Sequence, residues 1–223
     1  SLVAVAVPTA AMIILLAMFD GLTESIESLN TAIDADIEVV PKRGQTFSSD
    51  TIQIESLEDI DGIESIAPYI EQSVMASAAG RHYPLEIRGV DMRYFDVMTL
   101  NSYISRGSKE AIVSEEIILG SALASSLGAY GIGTEIELYA LNRKQISTLL
   151  PTSGISKLKT RLGGVVSANN QINETVALME LESAQELLNH KNRFSGIAIK
   201  LSNYDNAEDI AKLIKSNVGE EFD

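Results

Sequence analysis

Cysteine and tryptophan are missing from this sequence, histidine occurs twice, and aromatic residues make up only 5% of it. Each shortage excludes something. Without cysteine there is no disulfide scaffold and no zinc–thiolate site, and the absence suits a domain exposed to an oxidising compartment. His82 and His190 stand far apart with no metal-ligand spacing around them, so they read as surface or hydrogen-bonded side chains. Lack of tryptophan removes the usual platform for stacking on carbohydrate. Basic residues are scarce: 17 Lys and Arg against 31 Asp and Glu leave a net charge of −14, which repels phosphates and argues against nucleic acid as a partner. Catalytic signatures are missing too, with no G-x-x-x-x-G-K-[ST], H-E-x-x-H or G-x-S-x-G. Gly128, Gly131 and Gly133 do not make G-x-G-x-x-G and read as a helix stop and a hairpin turn. The acidic groups Glu115-Glu116, Glu180 with Glu182, and Glu220-Glu221 lack the spacing of a calcium loop and read as solvated faces. No cofactor is expected.

What the chain does have is an apolar start. No charged side chain occurs between Leu2 and Phe19, and the run stops at Asp20-Gly21. That is just long enough for a bilayer span or the end of one. A signal peptide and a buried core helix are the rival readings. The first lacks a basic flank, since no Lys or Arg precedes Lys42, and Ala17-Met18-Phe19 is a poor cleavage site. Against the second stands the continuation, in which the chain turns polar yet keeps Leu22, Ile26, Leu29 and Ile33 at helical spacing. A helix that is apolar all round and then amphipathic is leaving lipid and running along a protein surface; Pro8 is tolerated in such a helix. The expectation is a membrane helix over residues 1–19 and an exit helix over residues 20–35.

The 223 residues leave room for one large domain or two small ones. Residues 36–41 alternate as a strand, Lys42-Arg43-Gly44 reads as a turn, residues 56–59 as a capping-box-like helix start ended by Gly62, and residues 63–70 as a second strand. Near the other end residues 194–201 read as a strand, 203–206 as a turn, and 207–217 as a helix with Ile210, Leu213 and Ile214 on one face. A closing strand is expected to begin within residues 219–223. The two β-α-β units bracket the chain, which predicts an α+β fold: a split ferredoxin-like unit interrupted by a mostly β insertion. In the insertion, residues 83–90, 110–113, 134–139, 161–166 and 174–179 read as strands and 183–189 as a helix. Ser114 is expected to cap a helix through Ile117, Ile118, Ala122, Leu123 and Leu127 to Gly128. The expected division is residues 36–70 and 192–223 for the first unit and 71–191 for the insertion, with a hairpin loop over 141–161.

One stretch reverses the local charge. Between Glu137 and Glu174 there is no acid, while Arg143, Lys144, Lys157, Lys159 and Arg161 fall in the gap. Its middle sets Leu149, Leu150 and Ile155 around a Pro151-Thr152-Ser153-Gly154 turn. An exposed apolar tip with a basic rim is what a docking loop for an acidic-rimmed partner needs; an ordinary long hairpin folded back on its domain is the equal alternative.

Five stretches in fixed order carry a family resemblance: residues 17–29 (AMFDGLTESIESL), 34–47 (DADIEVVPKRGQTF), 89–95 (GVDMRYF), 111–139 (AIVSEEIILGSALASSLG, then GIGTEIELY) and 178–188 (LMELESAQELL). In them the chain resembles the first extracytoplasmic region of permeases in the MacB-like, or type VII, ABC transporter superfamily, and most of all the lipoprotein-releasing permeases of the LolC/LolE type. The resemblance implies a porter part, corresponding to the split unit, and an inserted sabre part. It implies an inner-membrane permease with this domain in the periplasm and without catalysis of its own, ATP being hydrolysed by a cytoplasmic ATPase subunit. A second permease copy or paralogue is a further implied partner, as are a periplasmic lipoprotein chaperone and its lipoprotein substrate. In that branch a hook loop and a nearby pad recruit the chaperone. Leu149, Leu150, Pro151, Thr152, Ser153, Gly154 and Ile155 lie at the hook's place, matching by position and by a Pro-x-x-Gly turn while departing from its usual residues. Lys157, Lys159 and Arg161 lie near the pad's place. The alternatives are a MacB-like efflux or mechanotransmission permease, an FtsX-like regulator of a cell-wall hydrolase, or, in a different class, a soluble ligand-binding module.

Overall fold

Strands dominate the structure, a computed structural model that describes Met12, residues 35–141 and residues 154–223, with only the backbone of Asp205. The expected membrane and exit helices lie outside these residues. Among the described residues no helix is long and apolar enough to cross a membrane. In chain order the elements are β1 (Ile37–Val39), β2 (Phe47–Ser48), α1 (Ile54–Glu58), β3 (Ile63–Ala78), β4 (Arg81–Val90), α2 (Tyr94–Val97), β5 (Ile104–Gly107), β6 (Ile117–Gly120), α3 (Ser121–Leu127), β7 (Glu135–Leu141), β8 (Ile155–Val166), α4 (Asn170–Thr175), β9 (Ala177–Glu180), α5 (Leu181–Leu188), β10 (Arg193–Phe194), β11 (Gly196–Leu201) and α6 (Ala207–Val218).

The two ends of this unit build one sheet. β1 pairs with β11, and β11 with β3, both antiparallel. On the far side of β1, Pro41 bridges Phe222. The N–H of Val40 donates to the Asp223 carbonyl and that of Asp223 to the Val40 carbonyl, each at 2.9 Å. The expected closing strand therefore does begin at the end of the sequence. The spatial order, residues 221–223, then β1, β11 and β3, is fourth, first, third, second, which is the order of a split β-α-β arrangement. Its core holds Leu57, Ile66, Ile197, Ile199, Ile210 and Ile214, with the Phe47 ring edge-on to Phe194 and Phe222. A fully buried Ile or Leu contributes about 1.5–3 kcal/mol. A Cβ at Gly62 would sit 2.7 Å from the Ile210 side chain, so glycine there lets α6 approach, and its φ of +98° is one that other residues rarely adopt. Leu213 is not on the buried face: it is 52% exposed.

The remaining strands close on themselves, with β3 joined in turn to β4, β9, β6, β8 and β7, and β7 back to β3. β5 pairs only with β8 and ends the path. A second core fills this ring, from Val74, Ala76, Leu85, Ile87, Leu138 and Leu162 with α3 and α5. α5 seats against β4 where a Cβ on Gly89 would meet Ala184 at 2.3 Å.

Several local expectations need correction. The first short helix starts at Ile54 after Gln53, and the Ser56 hydroxyl donates to the Gln53 carbonyl inside it, so no capping box forms. Lys109–Ala111 is a single 3-10 turn instead of a strand, and Ser114 caps nothing. Ile117–Gly120 is a strand buried at every residue between β8 and β9, and the helix begins only at Ser121. Residues 170–175 form α4, capped by the Asn169 side chain accepting from the Ile172 N–H, and the strand follows at Ala177. β3 runs unbroken through the expected boundary at 70/71 and is shared by both cores, its partner changing from β11 to β4 beside that point.

At that crossing sits a polar cluster. Glu71 accepts from Arg88, whose Nη1 donates to the Tyr94 hydroxyl at 2.7 Å; the guanidinium carbon lies 4.5 Å from the centre of the Tyr69 ring. Tyr69 in turn donates to Glu38 of β1 at 2.6 Å. Burial, then the bond to Glu38, pushes the Tyr69 hydroxyl well above its usual range. Arg88 and Glu71 are each about a quarter exposed, and an ion pair with its hydrogen bonds satisfied costs most when one partner is removed. We expect Arg88→Met to lower the unfolding free energy by about 2 kcal/mol, and Glu71→Leu/Arg88→Met to recover part of it, both read from urea denaturation midpoints.

Candidate functional site

β7 and β8 pair from Glu135↔Arg161 to Leu141↔Ile155, an antiparallel arm on either side of residues 142–153 in the chain. Period-two alternation sets its two faces. Ile136, Leu138 and Ala140 point into the ring; Glu137, Tyr139 and Leu141 point outward, opposite Lys159, Lys157 and Ile155. Because β3 also pairs with β7, Ser77 lies beside Glu137 and Met75 beside Tyr139. The outer face thus runs across strands as Pro84, Met75, Tyr139, Lys157, and as His82, Ser77, Glu137, Lys159. Its last rung, Leu141 with Ile155, is about half exposed on both sides.

Of the predicted hook, Leu149, Leu150, Pro151, Thr152 and Ser153 lie outside the described residues; Gly154 is buried and Ile155 is exposed at the end of the arm. The predicted pad residues are brought together on β8, but not as a free basic patch. Lys157 and Lys159 both pair with Glu137, at 2.8 and 3.3 Å, and Lys157 lies 5.2 Å from the centre of the Tyr139 ring. Around Lys159 and Arg161 an open hollow of about 370 Å³ is walled by Glu115, Glu116, Glu135 and Glu137. The charge reversal expected from the gap after Glu137 is therefore offset across the sheet. Hydrogen bonding from Lys157, then from Tyr139 and Lys159, holds the Glu137 carboxyl down to about 2.

Sequence reasoning missed a second feature, an open groove of about 720 Å³ where the arm meets the first sheet. Leu141, Ser73 and Glu86 line one side and Val40, Tyr69 and Ser195 the other. These residues come from separate parts of the chain, and no local pattern links them. Among the described residues no group of His, Asp and Glu is arranged to hold a metal ion. What this surface offers is apolar contact beside paired charges, the chemistry of protein docking.

Fold and surface together define an α+β module with a two-stranded arm, and comparison gives that class a family. The MacB-like periplasmic core domain model matches residues 1–217, and the chain belongs to that family. It is 25% identical over 219 residues to the lipoprotein-releasing system transmembrane protein LolC of Neisseria meningitidis serogroup B. The match takes in 93% of this chain and 50% of that protein, so the chain spans about half the length of this curated relative. The periplasmic region of MacB from Actinobacillus actinomycetemcomitans superposes with a TM-score of 0.56 at 17% identity, over 83% of this chain and 86% of that one. For the extracellular domain of the ABC-type transporter YknZ from Gram-positive bacteria the score is 0.57 at 14% identity, over 83% and 97%. Both likenesses bear on the fold, which is mixed α+β as expected.

A folded-state pKa below the ordinary value of about 4.3 means that the Glu137 interactions add stability above that pH and lose it as pH falls toward 2. We expect NMR titration to find the Glu137 carboxyl well below the other glutamates, and Lys157→Ala to move its midpoint up toward them.

Proposed function

We propose that this chain is the periplasmic part of an inner-membrane ABC permease subunit that couples ATP hydrolysis by a separate cytoplasmic ATPase subunit to lipoprotein release. The lipoproteins leave the inner membrane and pass to a periplasmic chaperone. The observation that carries this reading is the match to the lipoprotein-releasing relative along 93% of the chain. Residues 1–19 are then the end of a membrane span and 20–35 the exit helix; residues 36–70 and 192–223 form the porter-like part and 71–191 the sabre-like insertion. A second permease copy or paralogue completes the assembly.

Hydrogen bonding supports a transmission role. The exit segment leads directly into β1, which is bonded on one side to β11 and on the other to residues 221–223. Asp36 fixes the start of β1 by accepting from the Leu201 N–H at 2.8 Å and pairing with Lys200 at 3.3 Å. A displacement along residues 20–35 enters the sheet at β1, passes to β11 and β3, and reaches the ring along β3.

The hook is residues 149–155 and the pad is Lys157, Lys159 and Arg161. Their support is the arm itself: an exposed apolar rung, Leu141 and Ile155, next to two lysines that share one carboxylate. We expect the immobilised 223-residue chain in mild detergent to retain the purified lipoprotein chaperone of the same organism. Leu149→Asp/Leu150→Asp should weaken retention by about thirtyfold, the loss of a central apolar anchor, with circular dichroism unchanged. Equal retention overturns the hook assignment. No retention by either folded protein favours the MacB-like efflux and mechanotransmission reading, or FtsX-like control of a cell-wall hydrolase.

A further inference from the structure

Among the stretches of this acidic chain that contain no Asp or Glu are residues 72–85, 97–109 and 117–134. Distant in sequence, they meet where β3 turns into β4. Arg81, the first residue of β4, lies against Gly128 just after α3, and its Nη1 donates to the Ser125 carbonyl at 3.3 Å and the Tyr130 hydroxyl at 3.5 Å. From β5, Arg106 Nη1 donates to the Tyr130 carbonyl at 2.5 Å. Two guanidinium groups thus flank a tyrosine that is 61% exposed, and Ile132, about half exposed, follows two residues later.

Among the described residues elsewhere, Arg193 is held on the neutral oxygens of Thr46 and eight other cations are held by acids. Lys42, Arg88, Arg93, Lys157, Lys159, Lys200, Lys212 and Lys215 all pair with carboxylates. Arg81 and Arg106 bond only to neutral oxygens among the described residues. A guanidinium has five donors, so both keep capacity for a carboxylate. The acid nearest to β5 along the chain, Glu110, is hydrogen-bonded to Ser108, which lowers its pKa, and has Lys109 beside it. A second observation is independent of charge. Among the described residues β5 is the last strand of its path, paired on one side with β8, and Ser105 to Ser108 are exposed. A free strand edge is a template for adding another strand.

We propose that this end of the ring docks an extended acidic segment of a partner protein. The segment adds as a strand along the open edge of β5, sets carboxylates beside Arg81 and Arg106, and lays an apolar side chain on Tyr130 and Ile132. A lipid surface fits less well. β1, where the chain enters this unit, is joined through β11 to the opposite half of β3, and Ile66 and Ala78 are roughly 40 Å apart along that strand at about 3.3 Å per residue. The proposal is independent of Lys157 and Lys159, which lie on the outer face of β8.

The test uses the 223-residue chain in mild detergent and a fluorescent peptide of alternating Glu and Val around a central Phe, followed by anisotropy. The wild-type chain is expected to bind it, more weakly as salt rises, and Arg81→Glu/Arg106→Glu to weaken binding by about tenfold or more. Ile132→Asp, a change at an exposed position, should weaken it as well and serves if the double charge reversal does not fold. The same peptide with Lys for Glu should not bind, nor should one N-methylated at alternate residues, which cannot pair with β5. Binding that survives N-methylation, or is the same in the folded variants, overturns the proposal. So does phosphatidylglycerol vesicle binding, or self-association in sedimentation, that the Arg81→Glu/Arg106→Glu change removes while leaving peptide binding intact.

Discussion

β3 is a member of two sheets, and the change of partner halfway along it is the constraint on which the rest of the structure depends. From Ile63 to Tyr69 its neighbour is β11; from Ile70 to Ala78 its neighbours are β4 and, near its end, β7. A strand that changes partners leaves backbone groups to be satisfied at the crossing. Ser195 meets that need: its N–H donates to the Tyr69 carbonyl at 2.8 Å, and its hydroxyl oxygen accepts from the Glu71 N–H at 2.9 Å. Gly196 follows because a Cβ there would fall 2.4 Å from the Tyr69 hydroxyl. Arg88 then ties the two sides together, stacked on Tyr69 of the shared strand while bound to Glu71 and Tyr94. Burial lowers the Arg88 pKa, but its contacts with Tyr94, Glu71 and Tyr69 outweigh that and raise it, so the cluster stays charged.

This arrangement suits transmission better than an ordinary linker would. A flexible connection between two cores lets each move alone, whereas a hydrogen-bonded strand that enters both is stiff along its length. The burial pattern of β3 follows the same division. Residues Ile66 to Ile70 are buried without a break, as in a strand covered on both faces; beyond them burial alternates through Val74, Ala76 and Ala78, as in a strand with one face in the ring and one outside. Met75 lies on the outward face because of that switch, next to Tyr139.

Where period and burial agree, the sequence was readable. Residues 134–139 alternate and lie almost wholly in β7, residues 36–41 hold the three-residue β1, and residues 207–217 repeat at helical spacing and lie in α6. Ile117-Ile118-Leu119-Gly120 was misread as helix because a strand buried on both faces has no period, and the short apolar run ran on into α3 without a break. At the candidate site the error was of another kind. A gap in acidic residues counted along the chain says nothing about what lies across a sheet, and Glu137, twenty positions before Lys157, is its neighbour in space. Of the arm only the β7 strand was visible, since residues 155–160 fell within the expected hairpin loop yet belong to β8; the groove beside it was not visible at all.

The same distinction separates the two cation-bearing surfaces and bears on what each can recognise. On the arm, Lys157 and Lys159 are already held by Glu137, so an incoming carboxylate must compete with one in place, and an exchange of near-equal surface pairs yields little. Affinity there has to come from apolar contact at Leu141, Ile155 and the loop beyond, with the charges setting orientation. Where β3 turns into β4, Arg81 and Arg106 bond to carbonyl and hydroxyl oxygens, and a carboxylate can join them without displacing another. The two proposed surfaces thus differ in what would select a partner, apolar area and shape on the arm and charge at the β3–β4 turn, although both border the same end of β3.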